Sequence, residues 1–253
     1  MEDEQLPEPD MVPASNERLP LLTIFKKLNG RLSWPRDHAM IEAENEPIEV
    51  RLAIARACVS DPDQNVRNSA TECLADFGTS LDRFRIRQLL RDPSWVVRST
   101  AVEAIEVVFG KSGEGLLIAM LQDPHRIVRR DAGMGLGFVG AKASIPHLKN
   151  RLRVEKQEQA KVGIYEGLFT LGERKFLKPL LGLGESEQRC IANLTWDVIL
   201  RLADLGPLET EEVNWIKEAM YLSVLRFDCD VCYTVSTSVL KEQLARLIDK
   251  LEA

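Results

Sequence analysis

Aromatic side chains are scarce in this sequence, at 6% of residues, and histidine occurs only three times. An interior built around large rings is therefore excluded, and small aliphatic residues must fill most of it, as they do between closely packed helices. No run of about 18 apolar residues is present, which excludes a membrane-spanning helix. Net positive charge is missing as well. A formal charge of −6 excludes a protein that coats nucleic acid with its whole surface, although a local basic patch stays compatible with it. The sequence has no H-E-x-x-H, no G-x-S-x-G and no phosphate-binding loop, and His38, His125 and His147 stand in unrelated contexts. The expectation is that no residue is catalytic, that no metal or cofactor is held, and that the protein is not an enzyme.

Five cysteines, an odd number lying mostly inside helical patterns, fit reduced thiols and a cytoplasmic location. Met1-Glu2-Asp3-Glu4 is acidic and has no apolar stretch behind a basic start, so no secretory signal is expected. Cys229 and Cys232 form a C-x-x-C. Zinc needs four ligands, and the remaining candidates are scattered along the chain, with Cys58 and Cys73 already in apolar helical stripes. Two small side chains at a helix start or turn is the preferred reading, with redox or metal chemistry as its alternative.

Repetition is what the sequence does contain. Asp61-Pro62-Asp63-Gln64-Asn65-Val66-Arg67 returns as Asp92-Pro93-Ser94-Trp95-Val96-Val97-Arg98 and as Asp123-Pro124-His125-Arg126-Ile127-Val128-Arg129, a step of 31 residues. Ala70, Ala101 and Ala132 follow three positions after each Val-Arg. Then come the pairs Cys73-Leu74, Ala104-Ile105 and Gly135-Leu136, and each unit closes at Gly78, Gly110 or Gly140. A fourth copy keeps Ala160-Lys161, Ile164, Gly167-Leu168 and Gly172, and a fifth around Cys190 to Ala203 keeps only the apolar skeleton. Asp before Pro marks a turn and helix start, with the carboxylate capping free N–H groups and Pro in the first turn. The apolar positions fall on one buried stripe, and glycine ends the helix in a left-handed conformation. A second apolar-periodic segment follows each time, as in Ile86, Leu89 and Leu90 or Leu117, Met120 and Leu121. Two helices per unit, each unit stacked on the next, make a solenoid.

The D-P-x-x-x-V-R-x-x-A pattern closed by glycine resembles HEAT repeats, in particular the short type named after phycobilin lyases. The resemblance implies an all-α fold, an α-α superhelix of about five to six helix pairs with atypical terminal caps. It also implies a structural ladder of Asp61, Asp92 and Asp123 with Arg67, Arg98 and Arg129, which belongs to the scaffold. Metal-dependent hydroxylases of this family use His-Glu pairs, and this chain has no His-Glu dipeptide, so that activity is not carried over. Lyase activity is not carried over either, because the shared motif is the scaffold motif.

Four segments are expected. Residues 1–19, acidic and rich in Pro, form a disordered tail. Residues 20–46 hold a capping helix over 21–32 and an irregular link with Trp34-Pro35. The repeat array covers 47–183, and 184–253 holds degenerate repeats and capping helices, with amphipathic patterns over 191–205, 211–225 and 235–251.

The resemblance places first helices on the convex side and second helices on the concave side. The sequence itself puts cations on the second-helix segments: Arg83, Arg85, Arg87 and Arg91; Lys149, Arg151 and Arg153; Arg174, Lys175 and Lys178. Few acids oppose them. Arg83, Arg87, Arg91, Lys149, Arg151, Arg153, Arg174 and Lys178, with Trp95 as an aromatic anchor, are therefore the candidate partner-binding residues. The leading functional expectation is a scaffold or adaptor holding an acidic protein partner. A toxin-neutralising immunity protein is a narrower version, a HEAT-like nucleic-acid binder is the alternative class, and a lyase- or chaperone-type protein comes last.

Overall fold

The structure, a computed structural model, describes residues 41–227 and Arg246. The expected tail, the helix over 21–32, the Trp34-Pro35 link, the Cys229–Cys232 pair and the helix over 235–251 lie outside the described residues. The chain divides into two compact units, Met1–Cys73 and Leu74–Ala253. Among the described residues every regular element is helical and none is a strand. No helix there is long and apolar enough to cross a membrane.

In the first unit, α1 (Ile48–Cys58) buries Leu52, Ile54, Ala55 and Cys58. The turn after it leads into α2 (Gln64–Phe77), which begins in this unit and ends in the next. The second unit continues as α3 (Arg83–Leu89), α4 (Trp95–Phe109), α5 (Glu114–Met120), α6 (Arg126–Val139), α7 (Ile145–Val154), α8 (Glu158–Thr170), α9 (Leu177–Leu183), α10 (Arg189–Leu205) and α11 (Thr210–Phe227). Short 3-10 turns precede α3, α5, α7 and α9. The helices alternate as the repeat predicts: α4, α6, α8 and α10 are the first helices of their pairs, and α3, α5, α7, α9 and α11 the second. Val66, Val97 and Val128, and likewise Ala70, Ala101 and Ala132, are fully buried. Around the buried Trp196, Ile199, Leu202, Ile216 and Met220 share a core with Leu177 and Leu180, so the fading repeats still stack.

Two local expectations change. The helices begin two residues after Pro, at Gln64, Trp95 and Arg126, so Pro62, Pro93 and Pro124 lie outside them. Each Asp instead closes the turn before the helix: its Oδ1 accepts the N–H two residues on, from Asp63, Ser94 and His125, each at 2.8 Å. That short loop is the side-chain version of a backbone turn. Glycine also ends these helices in two ways. Gly110 and Gly172 take positive φ, 52° and 98°, whereas Gly140 is extended, and a Cβ there would stand 2.4 Å from the Leu136 carbonyl oxygen. The first kind of glycine supplies a backbone conformation, the second an absence of bulk.

The same absence of bulk sets the spacing of the first helices. α6 and α8 touch backbone to backbone: a Cβ on Gly163 would lie 2.1 Å from the Arg130 carbonyl oxygen, and one on Gly167 2.1 Å from that of Gly133. Extensive contact runs along α4, α6 and α8, while neighbouring second helices from α3 to α9 make little direct contact.

Candidate interaction surfaces

The repeated arginines work within the stack. Arg98 Nη1 donates to the carbonyls of Asp92 (2.8 Å) and Pro93 (3.1 Å), closing its own turn, while Nε and Nη2 reach Asp123 of the next turn at 2.7 and 3.0 Å. Arg129 repeats this on the carbonyls of Asp123 and Pro124, and its fork is taken by Glu155 at 2.7 and 2.9 Å. In the first unit Arg67 Nη1 donates to the carbonyls of Asp61 and Pro62. Glu155 is the step the sequence concealed: the period of 31 lands on Val154, and Lys156 stands where the other turns have Pro. Burial alone would raise its carboxyl. Arg129, the Gln157 N–H and Arg151 together outweigh that and bring it down to about 2.

The second-helix cations do not form one free block. Lys149 is held by Glu173 at 2.9 Å, Arg151 by Glu155 at 2.8 Å, and Arg174 by Glu212 through Nε at 2.7 Å. Arg153 reaches Asn150, and Lys178 lies over the Trp215 ring at 4.8 Å. The cations of α3 differ. Arg83 donates to the Val108 carbonyl at 3.2 Å, and Arg83 and Arg87 stack over Phe109 at 5.5 and 5.0 Å. Neither these two nor Arg91 meets a carboxylate among the described residues, while Arg85 pairs with Asp82 at 3.4 Å. Beside them Phe84 is 68% and Leu81 77% exposed. Sequence reasoning counted the arginines and missed the apolar pair between them. The signal was present: with Ile86, Leu89 and Leu90 buried, Phe84 falls on the opposite face of α3.

Trp95 opens α4 half-exposed and stacks on His125, with ring centroids 4.0 Å apart and planes 17° from parallel. Burial lowers the imidazole pKa, and the neighbouring Arg126 adds to it, so His125 is neutral at pH 7. Its Nδ1 is buried and has no partner among the described residues.

A further cluster lies on the first-helix row, made of residues that were not candidates. Asp131 (α6) accepts from Ser99 (α4) and from Arg130 Nε at 2.6 Å. Glu166 (α8) accepts from Arg201 (α10) through Nε at 3.3 Å and Nη2 at 3.0 Å. Both carboxylates are almost fully buried, and burial raises both above the usual range against the pull of Arg130 and Arg201. The visible sign was Glu166 itself, a charge at the position where the preceding repeats hold Ala104 and Gly135. A cavity of about 410 Å³ lies beyond this cluster, lined by Phe169, Leu202, Leu205, Leu208 and Arg174 among others. Among the described residues no group of three or more His, Cys, Asp or Glu is placed to hold a metal ion.

A family model described as HEAT repeats matches residues 83–168. Among curated proteins none matches the sequence. A solved structure, the complex of CpcE and CpcF of phycocyanin lyase from Nostoc sp. PCC7120, superposes with a TM-score of 0.62 at 14% identity, covering 100% of this chain and 99% of that one. At that identity the likeness speaks for the fold. The repeated Asp-Pro turns, the paired helices and the matched segment agree: the fold is an α-solenoid, and residues 83–168 are similar to HEAT repeats.

Proposed function

We propose that the chain is a non-catalytic scaffold that docks a protein partner on the second-helix row, at α3. The observation that carries this reading is the pairing of Arg83, Arg87 and Arg91, without carboxylate partners among the described residues, with the exposed Phe84 and Leu81. Arginine and large apolar side chains side by side have the composition of interface hot spots. The partner surface that complements them is acidic around an apolar recess. The basic residues of α7 and α9 contribute less than their number suggests, because Lys149, Arg151 and Arg174 are already neutralised within the stack. Trp95 is a second anchor, its one face covered by His125 and the other open to a partner. The superposing structure is itself a complex of two proteins, which supports partnering as a use of this fold.

The test is quantitative capture with two baits, the wild-type chain and Phe84→Ala/Arg87→Glu/Arg91→Glu, with mass spectrometry of what each retains. A protein retained by the first and lost at least tenfold from the second, with affinity that falls as salt rises, is the expected outcome. If every specific partner binds both baits equally, docking at α3 is wrong. If the specific material proves to be DNA or RNA with a steep salt dependence, the nucleic-acid reading replaces this one. A partner that is a toxin silenced by the chain makes the protein an immunity factor.

A further inference from the structure

The cluster on the first-helix row is not needed for partner docking at α3. Its arginines are held in an unusual way. Arg130 spends Nε and Nη2 on Asp131, and Arg201 spends Nε and Nη2 on Glu166. In each case Nη1 has no partner among the described residues. The two carboxylates are 1% and 2% exposed, whereas Arg130 is 25% and Arg201 45% exposed. Buried acids thus fix the inner edge of each guanidinium while the outer edge faces solvent.

The two arginines are neighbours beside α6. Arg201 Nη2 stands 3.8 Å from Met134 Sδ, and Met134 is one helical turn beyond Arg130 on α6. Both guanidinium groups also act on the same Glu166 carboxylate. One further turn along α6 comes Phe138, 40% exposed. Arg130, Met134 and Phe138 therefore form one stripe, cationic at one end and apolar at the other, with Arg201 leaning onto its middle.

We propose that this stripe binds a small organic anion, a carboxylate or phosphate joined to an apolar body. The oxyanion takes the Nη1 groups of Arg130 and Arg201, and the apolar body lies along Met134 and Phe138. Planar guanidinium forks fixed in advance suit an oxyanion, because little side-chain freedom is lost on binding. Ser99, Asp131 and Glu166 are positioning residues that never touch the ligand.

Isothermal titration calorimetry of the full chain at low ionic strength tests this with phenyl phosphate and benzoate, using inorganic phosphate as the comparison. The expected result is that at least one aromatic anion binds tenfold or more tightly than inorganic phosphate. Phenyl phosphate alone points to a phosphate ligand, benzoate alone to a carboxylate. Arg201→Met weakens binding at least tenfold with helical circular dichroism unchanged. If that variant does not fold, Arg201→Lys keeps a cation beside Glu166 and loses the fork, and weakens binding at least threefold. Arg87→Gln/Arg91→Gln leaves binding unchanged, which separates this site from the α3 surface. Absence of binding by both aromatic anions, or wild-type affinity in both Arg201 variants, overturns the proposal.

Discussion

Arg129→Met removes a buried, fully engaged arginine of the stack. The arginine donates to two backbone carbonyls, Asp123 and Pro124, and to both oxygens of Glu155, and its side chain is 8% exposed. Methionine fills most of the volume and restores none of these bonds. Breaking a buried pair from one side costs about 3–5 kcal/mol, chiefly because the surviving charge keeps its burial and loses its partner. Glu155 retains Arg151 and the N–H groups of Lys156 and Gln157, which moves the expectation to the lower end, about 3 kcal/mol. Urea denaturation followed by circular dichroism at 222 nm reads this directly. The pH dependence supplies a second readout from the same residue. Glu155 falls from its ordinary 4.5 to about 2 in the folded chain, so its contribution is present above pH 4.5 and lost as pH falls through about 2. With an allowance for solvent screening around Arg151, that loss is about 1–2 kcal/mol in the wild type, and it shrinks in Arg129→Met. A variant within 1 kcal/mol of wild type, with the same acid limb, would refute the view that this ladder holds the repeats together.

Gly163→Ala and Gly167→Ala each drive a Cβ to 2.1 Å from a carbonyl oxygen of α6, so each should destabilise by about 3 kcal/mol or more in the same urea assay. Gly182→Ala, with nothing within 4 Å inside α9, should instead stabilise by about 0.5–1 kcal/mol. His125 is held neutral below its ordinary pKa of 6.5, so its contribution to stability is complete above pH 6.5 and declines as pH drops below it. The fluorescence of Trp95, obtained as wild type minus Trp95→Phe, should be quenched by the imidazolium over the same range, and a difference signal flat down to pH 4 would refute the stack. Glu166→Gln should change stability at pH 7 by only about 1 kcal/mol, since a raised pKa marks a carboxylate whose ionised form is disfavoured by burial. The sign runs opposite to Glu155: wild-type Glu166 adds stability as pH falls through its raised pKa towards 4.5, and that rise is missing in the variant, as parallel thermal melts would show.

The pairing of helices was legible because Val97, Ala101, Ala104, Ile105 and their counterparts fill identical positions, and identical positions in a stack must be filled by similar volumes. The start of each helix was misplaced by two residues because Asp-Pro serves two neighbouring motifs, a side-chain-closed turn and a helix cap, and composition alone does not separate them. The close approach of α6 and α8 was not legible, because it is a consequence of glycines on both helices meeting rather than of either helix alone. The basic block was overcounted for a related reason. Lys149 and Glu173, or Arg174 and Glu212, lie in different helix pairs, and one sequence read along its length shows the cation without its distant acid.

In a stack of this kind, every residue that recurs with the period is engaged in holding one unit to the next, and is for that reason unavailable to a partner. Val97, Ala101, Arg98 and Asp123 are buried or bonded inside the stack for the same reason that they repeat. Specificity must therefore sit where the period is broken. Phe84 is a large apolar side chain on the solvent side of α3, and Trp95 stands where the neighbouring repeats hold Gln64 and Arg126. Glu166 is a charge in a slot for Ala or Gly, and Arg201 comes from the most degenerate repeat to meet it. If irregularity is where function lies, substituting Phe84 should alter binding while leaving urea stability within about 1 kcal/mol, as expected for an exposed site. Substituting Arg98 should do the reverse, lowering stability by about 3 kcal/mol while whatever remains folded binds normally. A chain in which Arg98→Met abolished binding at full stability would show that the regular positions carry recognition after all.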